Sequence, residues 1–399
     1  MYITGLDVGT FSTKVVVVKK QNGRTSVVKV IKERTQGFRK GTITDFKEAL
    51  IFLRKIIQEI TNQTSRRCLR NVFFNINSPL IKVYLSQGVA GVARADNRIS
   101  QDDVDKAIES SRAVNLPPNF TILHNITREF QVDGISEIKN PVGMIGTRLE
   151  VSSLVIAIFE PVLRDLTNLL EKCGVTIGGL IYNPLATAEA TLSKQQKELG
   201  TIVIDIGAST TSYVVYSENK VMQANSFPVG GENITNDIAV GLKIPIDAAE
   251  KIKLRYGAAT TAGILRKKTF NLQEIDSTSE GEISQRFVAE IIEARLSEIL
   301  ELVQQDIKLP RRQLPGGVVL CGGTAKLFGI ENLAKQQLKL PAQVSLPNLS
   351  SFDITEISYQ DLLNDPEFCN VVGLVLTGEN LQAKTTDSIF KRLFKNLMP

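Results

Sequence analysis

Two stretches of the chain set an aspartate at the end of an apolar, β-branched run and a glycine two residues later. One is Asp7-Val8-Gly9-Thr10, continued by Phe11-Ser12-Thr13-Lys14 and a valine run over 15–18. The other is Asp205-Ile206-Gly207-Ala208-Ser209-Thr210, which leads into a β-branched run over 211–216. Both read as strand, tight turn, strand. Glycine tolerates positive φ and lets backbone N–H groups approach an anion, and the hydroxyls add donors. An aspartate at each strand end can hold Mg²⁺ through the waters which that ion keeps. Two unrelated hairpins would carry the same residues. The recurrence of the whole pattern, far apart in the chain, instead predicts two like-folded halves gripping one polyphosphate between them.

The elements around these turns follow from periodicity. Residues 1–32 read as strands. Residues 46–60 have helical apolar spacing at Leu50, Ile51, Leu53, Ile56, Ile57 and Ile60. Residues 71–76 form a strand. A β-rich stretch then interrupts the first half: a hairpin over 81–85 and 88–92, a helix capped by Ser100 and running to about 114, and strands over 121–132 and 148–157. It reads as an insertion. Residues 161–173 form a helix stopped by Gly174, 175–182 a strand, and 184–192 a helix leading to the second turn. The Gly230-Gly231 loop precedes a helix over 235–240. Another helix spans 246–256, and a polar irregular stretch covers 258–281. A long amphipathic helix covers 282–307. Cys321-Gly322-Gly323-Thr324 follows a strand and precedes a helix from about 328. That order suits a nucleotide base lying near a helix start, although it occurs throughout α/β proteins.

At 399 residues the chain is long enough for two or more domains. Its 43% hydrophobic and 22% charged content is ordinary for a globular protein, and the net charge of +5 is modest. No block of Lys and Arg interleaved with aromatics occurs, so no nucleic-acid partner is expected. Cys68, Cys173, Cys321 and Cys369 lie far apart and read as reduced thiols. Met1 leads straight into a strand, so no signal peptide is expected. No apolar run reaches the ~18 residues of a spanning helix. The single histidine, His124, is expected to be packed or on the surface.

Residues 387–399 carry a further pattern. Ile389, Phe390, Leu393, Phe394, Leu397 and Met398 fall on one helical face, and Lys391, Arg392 and Lys395 on the other. Asp387 or Ser388 can cap this helix, and the polar stretch 378–386 reads as a tether. Such a stripe commonly docks on its own domain. Its place behind a polar linker, with every later charge basic, predicts a helix lying in the plane of an anionic membrane surface. Burial gains of ~1.5–3 kcal/mol per side chain are opposed by ordering costs of ~1–2 kcal/mol per residue. One tail therefore binds weakly, and several held in a row bind far better.

These residues resemble the FtsA family of actin-like bacterial cell-division proteins over nearly the whole chain. The two Asp-Gly turns fit the phosphate turns of the actin superfamily, and Gly322-Gly323 fits its adenosine loop. More specific are Arg39-Lys40-Gly41, Asn140-Pro141-Val142-Gly143-Met144, Pro184-Leu185-Ala186, Glu198-Leu199-Gly200 and Pro228-Val229-Gly230-Gly231. Thr235-Asn236-Asp237-Ile238-Ala239, Ala249-Glu250-Lys251-Ile252-Lys253 and the basic C-terminus complete the set.

The resemblance implies an α/β, actin-like (ribonuclease H-like) fold of two lobes with a β-rich subdomain inserted in the first. The first lobe would comprise 1–76, 156–198 and 357–380, and the insertion 77–155. The second lobe would comprise 199–245 and 316–356, with a small subdomain at 246–315. Residues 381–399 would be tether and membrane helix. ATP and Mg²⁺ are the implied cofactors. Gly9, Thr10, Ser12, Lys14, Gly207, Ala208, Ser209, Thr210, Gly230, Gly231, Glu250, Lys253, Gly322, Gly323 and Thr324 would bind the nucleotide. Asp7 and Asp205 would hold the metal through water. Lys14 could equally flank its strand, and Glu250 with Lys253 could be a surface pair one turn apart.

The implied partners are the C-terminal tail of the tubulin-like FtsZ, further copies of the chain in a filament, an anionic membrane, and other division proteins on the insertion. Arg295 would contact the FtsZ tail, and the protein would sit peripherally on the cytoplasmic face of the cell membrane. Two departures bear on activity. Ala208 and Ser209 stand where the family usually has glycines, which narrows the approach to phosphate. Asn183 stands where actin relatives often carry the Glu or Gln that orients water, and an amide is no general base. Slow hydrolysis at most is expected. The same fold also serves PilM-like proteins of type IV pilus assembly and small-molecule kinases. The first has no need of the basic tail, and the second wants a carboxylate base that the sequence does not single out.

Overall fold

The computed structural model describes residues 1–265, 267–275 and 281–384. Its first sheet opens with an antiparallel meander of β1 (Tyr2–Val8), β2 (Ser12–Gln21) and β3 (Arg24–Arg34). A short hairpin, β4 (Phe38–Arg39) and β5 (Thr42–Ile43), leads to α1 (Phe46–Gln63), which Asp45 caps by accepting from the Glu48 N–H. The valine run of β2 is buried on both faces, and period-two alternation splits it between two cores. Val15 and Val17 pack with Phe52, Leu53 and Ile56 of α1. Val16 and Val18 pack with Val371 and Val372 from the end of the chain.

β6 (Val72–Ile76) lies parallel to β1. The β-rich stretch follows as β7 (Ile81–Gly91), α2 (Gln101–Ser110), β8 (Phe120–Val132), β9 (Ile135–Ile138) and β10 (Arg148–Phe159), in the sheet order β7-β10-β8-β9. The expected hairpin over 81–92 is instead one continuous strand, paired with β10 from Ile81 to Gly91. Gly88 makes no turn there. A Cβ on it would collide with the Ala107 carbonyl and with Ser111, so glycine lets α2 press against the strand. Ser100 and Asp103 form a reciprocal capping box at the start of α2, which ends at Ser110 rather than near 114.

His124 of β8 is buried, and its Nε2 accepts from the Tyr182 N–H at 3.0 Å. Burial holds its imidazole down to about 3. The folded protein therefore resists a proton that the unfolded chain takes near its ordinary value of about 6.5. The stability contribution is complete above pH 6.5 and is lost as pH falls toward 3. Between pH 7.5 and 5 the protein should lose about 2 kcal/mol more stability than a His124→Gln variant. Urea unfolding at the two pH values checks this, and parallel pH slopes would refute it.

α3 (Glu160–Lys172), β11 (Ile177–Tyr182), α4 (Asn183–Thr191) and α5 (Lys194–Leu199) complete this part. A second meander follows, β12 (Thr201–Ile206), β13 (Thr211–Ser217) and β14 (Lys220–Phe227). Then come α6 (Gly231–Leu242) and α7 (Ile246–Tyr256), the pair β15 (Thr269–Asn271) and β16 (Glu282–Ser284), and α8 (Gln285–Asp306). α6 starts four residues before the expected position, and β15 gives the stretch expected to be irregular a strand. β17 (Val318–Cys321), α9 (Ile330–Leu338) and β18 (Ala342–Val344) close the second sheet. The chain then returns to the first sheet through β19 (Phe352–Asp353), α10 (Ile357–Leu363) and α11 (Cys369–Lys384).

The two sheets are built alike. The first runs β11-β6-β1-β2-β3-β19 and the second β18-β17-β12-β13-β14. In each, an antiparallel meander is extended by two parallel strands beside its first member. The repeat of the Asp-Gly turn is thus a repeat of topology, with each turn joining the first two strands of its meander. The polar tether expected from 378 is helical through Lys384. Gly378 lies inside α11, where a Cβ would run into the ring of Phe73. Residues 385–399, with the membrane positions Ile389, Phe390, Lys391, Arg392, Leu393, Phe394, Lys395 and Leu397, lie outside the described residues.

Candidate nucleotide cleft

The two Asp-Gly turns face one cavity of about 480 Å³ between the sheets. Asp7, Gly9, Thr10, Ser12 and Lys14 line one wall, and Asp205 with residues 207–210 lines the other. Glu250, Lys253, Gly231 and residues 322–324 close a third side, and Asn183 lies at the floor. Gly230 stands behind the second turn rather than on the cavity wall. Its own extended backbone leaves no room for a Cβ beside the Gly207 and Ala208 carbonyls.

Each turn is held by its neighbours. In the first, the Gly9 N–H donates to the Ser12 carbonyl at 3.2 Å. In the second, the Gly207 N–H donates to the Thr210 carbonyl at 2.9 Å. The open N-terminus of α6 anchors this second turn: the Gly231 and Glu232 N–H groups donate to the Gly207 and Ala208 carbonyls at 2.9 and 2.6 Å. Across the cleft, the hydroxyls of Thr10 and Ser209 are 2.5 Å apart, and Asn77 Nδ2 donates to Thr210 Oγ1 at 2.8 Å.

The floor is an amide relay between the carboxylates. Asn370 Nδ2 donates to Asp7 Oδ1 at 3.0 Å and also to Asn183 Oδ1. Asn183 Nδ2 donates to Asp205 Oδ2 at 2.8 Å. Both ends of the Asn183 amide are therefore engaged. Burial raises Asp7, against the pull of Lys14, whose Nζ lies 3.5 Å from Asp7 Oδ2. Burial, with the Asp7 charge added, pushes Asp205 up to about 6. Asp205 keeps an edge open to the cavity, while protein surrounds the rest of its side chain. The floor thus holds two buried carboxylates with Lys14 as the opposing charge, an arrangement whose strain an added cation would relieve. Two buried amide oxygens at the cavity, Asn370 Oδ1 and Asn77 Oδ1, have no partner.

On the third side, Lys253 Nζ pairs with Glu250 Oε2 at 2.7 Å and donates to the Gly231 carbonyl and to Thr235 Oγ1. The i,i+3 pair faces the cavity rather than open solvent. Gly322 has φ +88°, and a Cβ there would collide with Asp205 Oδ1. A glycine is needed for the backbone to pass this close to the carboxylate.

The sequence reading missed Asn370, Asn75 and Asn77. Asn370 is 363 residues from Asp7, and nothing in the opening of α11 marks it. Asn75 sits on β6, where its Oδ1 accepts from the Val8 N–H at 2.8 Å. An asparagine inside the apolar run Val72-Phe73-Phe74-Asn75-Ile76 is the available signal. Arg295 lies on α8, away from the cleft. It makes a forked pair with Asp237 at 2.6 and 2.9 Å and a further bond to Glu298. Among the described residues the thiols of Cys68, Cys321 and Cys369 are buried and reduced, and Cys173 is partly buried. Among these residues no helix is long and apolar enough to cross a membrane.

Comparison with known proteins places the fold. The PilM-PilN type IV pilus biogenesis complex superposes with a TM-score of 0.68 at 18% identity, covering 94% of this chain and 98% of that one. MreB5 of Spiroplasma citri bound to ADP superposes with a TM-score of 0.58 at 14% identity, over 97% and 98% of the two chains. The fold is actin-like. The family model of the cell division protein FtsA matches residues 202–373, and that of the SHS2 domain inserted in FtsA matches residues 80–157. Cell division protein FtsA of Bacillus subtilis (strain 168) is 32% identical over 94% of this chain and 82% of its own length. That of Borreliella burgdorferi is 31% identical over 94% and 90%. With paired Asp-Gly turns on matching sheets, the inserted β module and identity along almost the whole length, this chain belongs to the FtsA family of cell division proteins.

Proposed function

We propose that this protein binds ATP–Mg²⁺ in the cleft, polymerises on the cytoplasmic face of the membrane through residues 387–399, and anchors FtsZ there during division. The observation that carries the nucleotide part is the meeting of Asp7 and Asp205, from equivalent strands of two like sheets, on one short-charged floor. Among the described residues no cluster of three or more His, Cys, Asp or Glu could hold a metal. A cation here would rest on two carboxylates, its own waters and the nucleotide, and Mg²⁺ suits that set. The bound ion would supply the positive charge that the floor lacks.

The chain's own groups have clear tasks in this reading. Backbone N–H groups of the two turns other than those of Gly9 and Gly207, which bond within the turns, meet phosphate oxygens, with Lys14 beside them. Glu250 and Lys253 face the ribose, and residues 322–324 pass the base. Asn183 donates to Asp205 and accepts from Asn370, and an amide is no general base for an attacking water, which supports slow hydrolysis. An acidic FtsZ peptide reaching Arg295 would compete with Asp237 for its guanidinium. The insertion, 77–155, would meet other division proteins. Electron microscopy on an anionic lipid monolayer with ATP should show rows of the protein that recruit FtsZ. Even, unordered coverage with no such recruitment would refute the reading.

A further inference from the structure

The end of the first lobe away from the cleft carries a second depression, of about 640 Å³. β2 brings Lys19 and Lys20 to it, a 3-10 turn at Arg66–Arg70 brings Arg67 and Arg70, and α11 brings Gln382. None of the four cations has an ion-pair partner among the described residues. Local sequence supplies none, because 8–32 and 60–95 contain no Asp or Glu. Several cations elsewhere on the lobes are paired: Lys32 with Glu367, Lys197 with Glu189, and Lys326 with Asp365.

Unpaired surface cations are usually just solvated. The position of these four is what singles them out. The described residues end in α11 at Lys384, two residues past Gln382, and the first apolar residue of the amphipathic pattern is Ile389. Five residues span at most ~18 Å when fully extended. A tail lying on a lipid surface would hold this end of the lobe within about two Debye lengths of it at physiological salt, and closer when the link is not stretched.

We propose that Lys19, Lys20, Arg67 and Arg70 form a second membrane contact that binds the phosphates of anionic phospholipid headgroups. The inference rests on the membrane reading of residues 387–399. Guanidinium groups grip phosphate oxygens in pairs, and the lysines add point charges. The four are carried on a strand and a capped turn, where Ser65 Oγ accepts from the Arg67 N–H at 3.3 Å. Their backbone is already in place, so they bring little ordering cost. The contact would fix which face of the lobe meets the lipid, something a single terminal helix cannot do alone.

The test is sedimentation of the full chain with phosphatidylglycerol-containing vesicles and with pure phosphatidylcholine vesicles. The variants are Lys19→Gln/Lys20→Gln, Arg67→Gln/Arg70→Gln, the four together, and a chain ending at Lys384. The fourfold variant should bind the anionic vesicles about tenfold more weakly, with a shallower salt dependence, and each pair should show part of the loss. Its ATP affinity and melting temperature should match the parent, which shows that it is folded. Binding equal to the parent overturns the contact. Undiminished binding by the chain ending at Lys384 would instead overturn the tail reading, so the two failures are distinguishable.

Discussion

Ending the chain at Lys384 should sharply weaken its sedimentation with anionic vesicles while leaving its affinity for ATP unchanged. The expected loss is on the order of a hundredfold or more once the protein is assembled, because tails held in one row act together. Removing them removes the apolar face of Ile389, Phe390, Leu393, Phe394, Leu397 and Met398 along with three cations. The cleft is insulated from this cut. Asn370 is fourteen residues before Lys384 on one helix, roughly 21 Å at the rise of an α-helix. Vesicle sedimentation and calorimetry on the same preparation give both readings. Unchanged pelleting of the shortened chain would refute the anchor.

Replacing Asp205 with asparagine should make the nucleotide-free protein more stable and bind Mg²⁺–ATP worse. Burial and the Asp7 charge hold this carboxyl near 6, about two units above the unfolded chain. The folded state therefore keeps a proton that the unfolded chain releases earlier, and above pH 6 the native protein bears an unrelieved charge. The penalty reaches about 3 kcal/mol. It is fully present above pH 6 and fades as pH falls from 6 toward 4. The amide of the Asp205→Asn variant carries no such charge, and its oxygen can still accept from Asn183. Urea unfolding should show a gain of about 3 kcal/mol at pH 8 that shrinks toward zero near pH 4. Mg²⁺–ATP affinity should fall at least tenfold, which is about 1.4 kcal/mol. His124 titrates in the opposite sense over this range, but it is common to both proteins and cancels in the difference. A variant less stable than its parent at pH 8, or one with unaltered affinity, would refute the account of the floor.

Much of this molecule can be read from local pattern. The Asp-Gly turns, the buried valine run and the helix at 46–63 rest on periodicity and turn chemistry, which neighbouring residues determine. Arg39 to Gly41 and the other short motifs carried the family. Errors arose where a residue answers to something distant. Gly88 looks like a hairpin turn from its neighbours, yet it is glycine because a helix some twenty residues later lies against it. Gly378 looks like the start of a linker, yet it makes room for Phe73. Asn370 was invisible because its partners come from β1 and α4, each far away in the chain. Spacing cannot reveal a contact made only when two sheets close on each other.

α11 has a consequence for how the molecule sits. Three glycines let it lie almost without cushioning on its surroundings: Gly5 of β1 meets the Val371 carbonyl, Gly373 meets the Ala186 carbonyl, and Gly378 meets Phe73. No pliable layer is left in which the helix could swivel by itself. The first sheet then behaves as a keel whose heading is passed unaltered to the point where the chain departs. In the membrane reading proposed above, every copy in a row would ride at the same pitch above the bilayer.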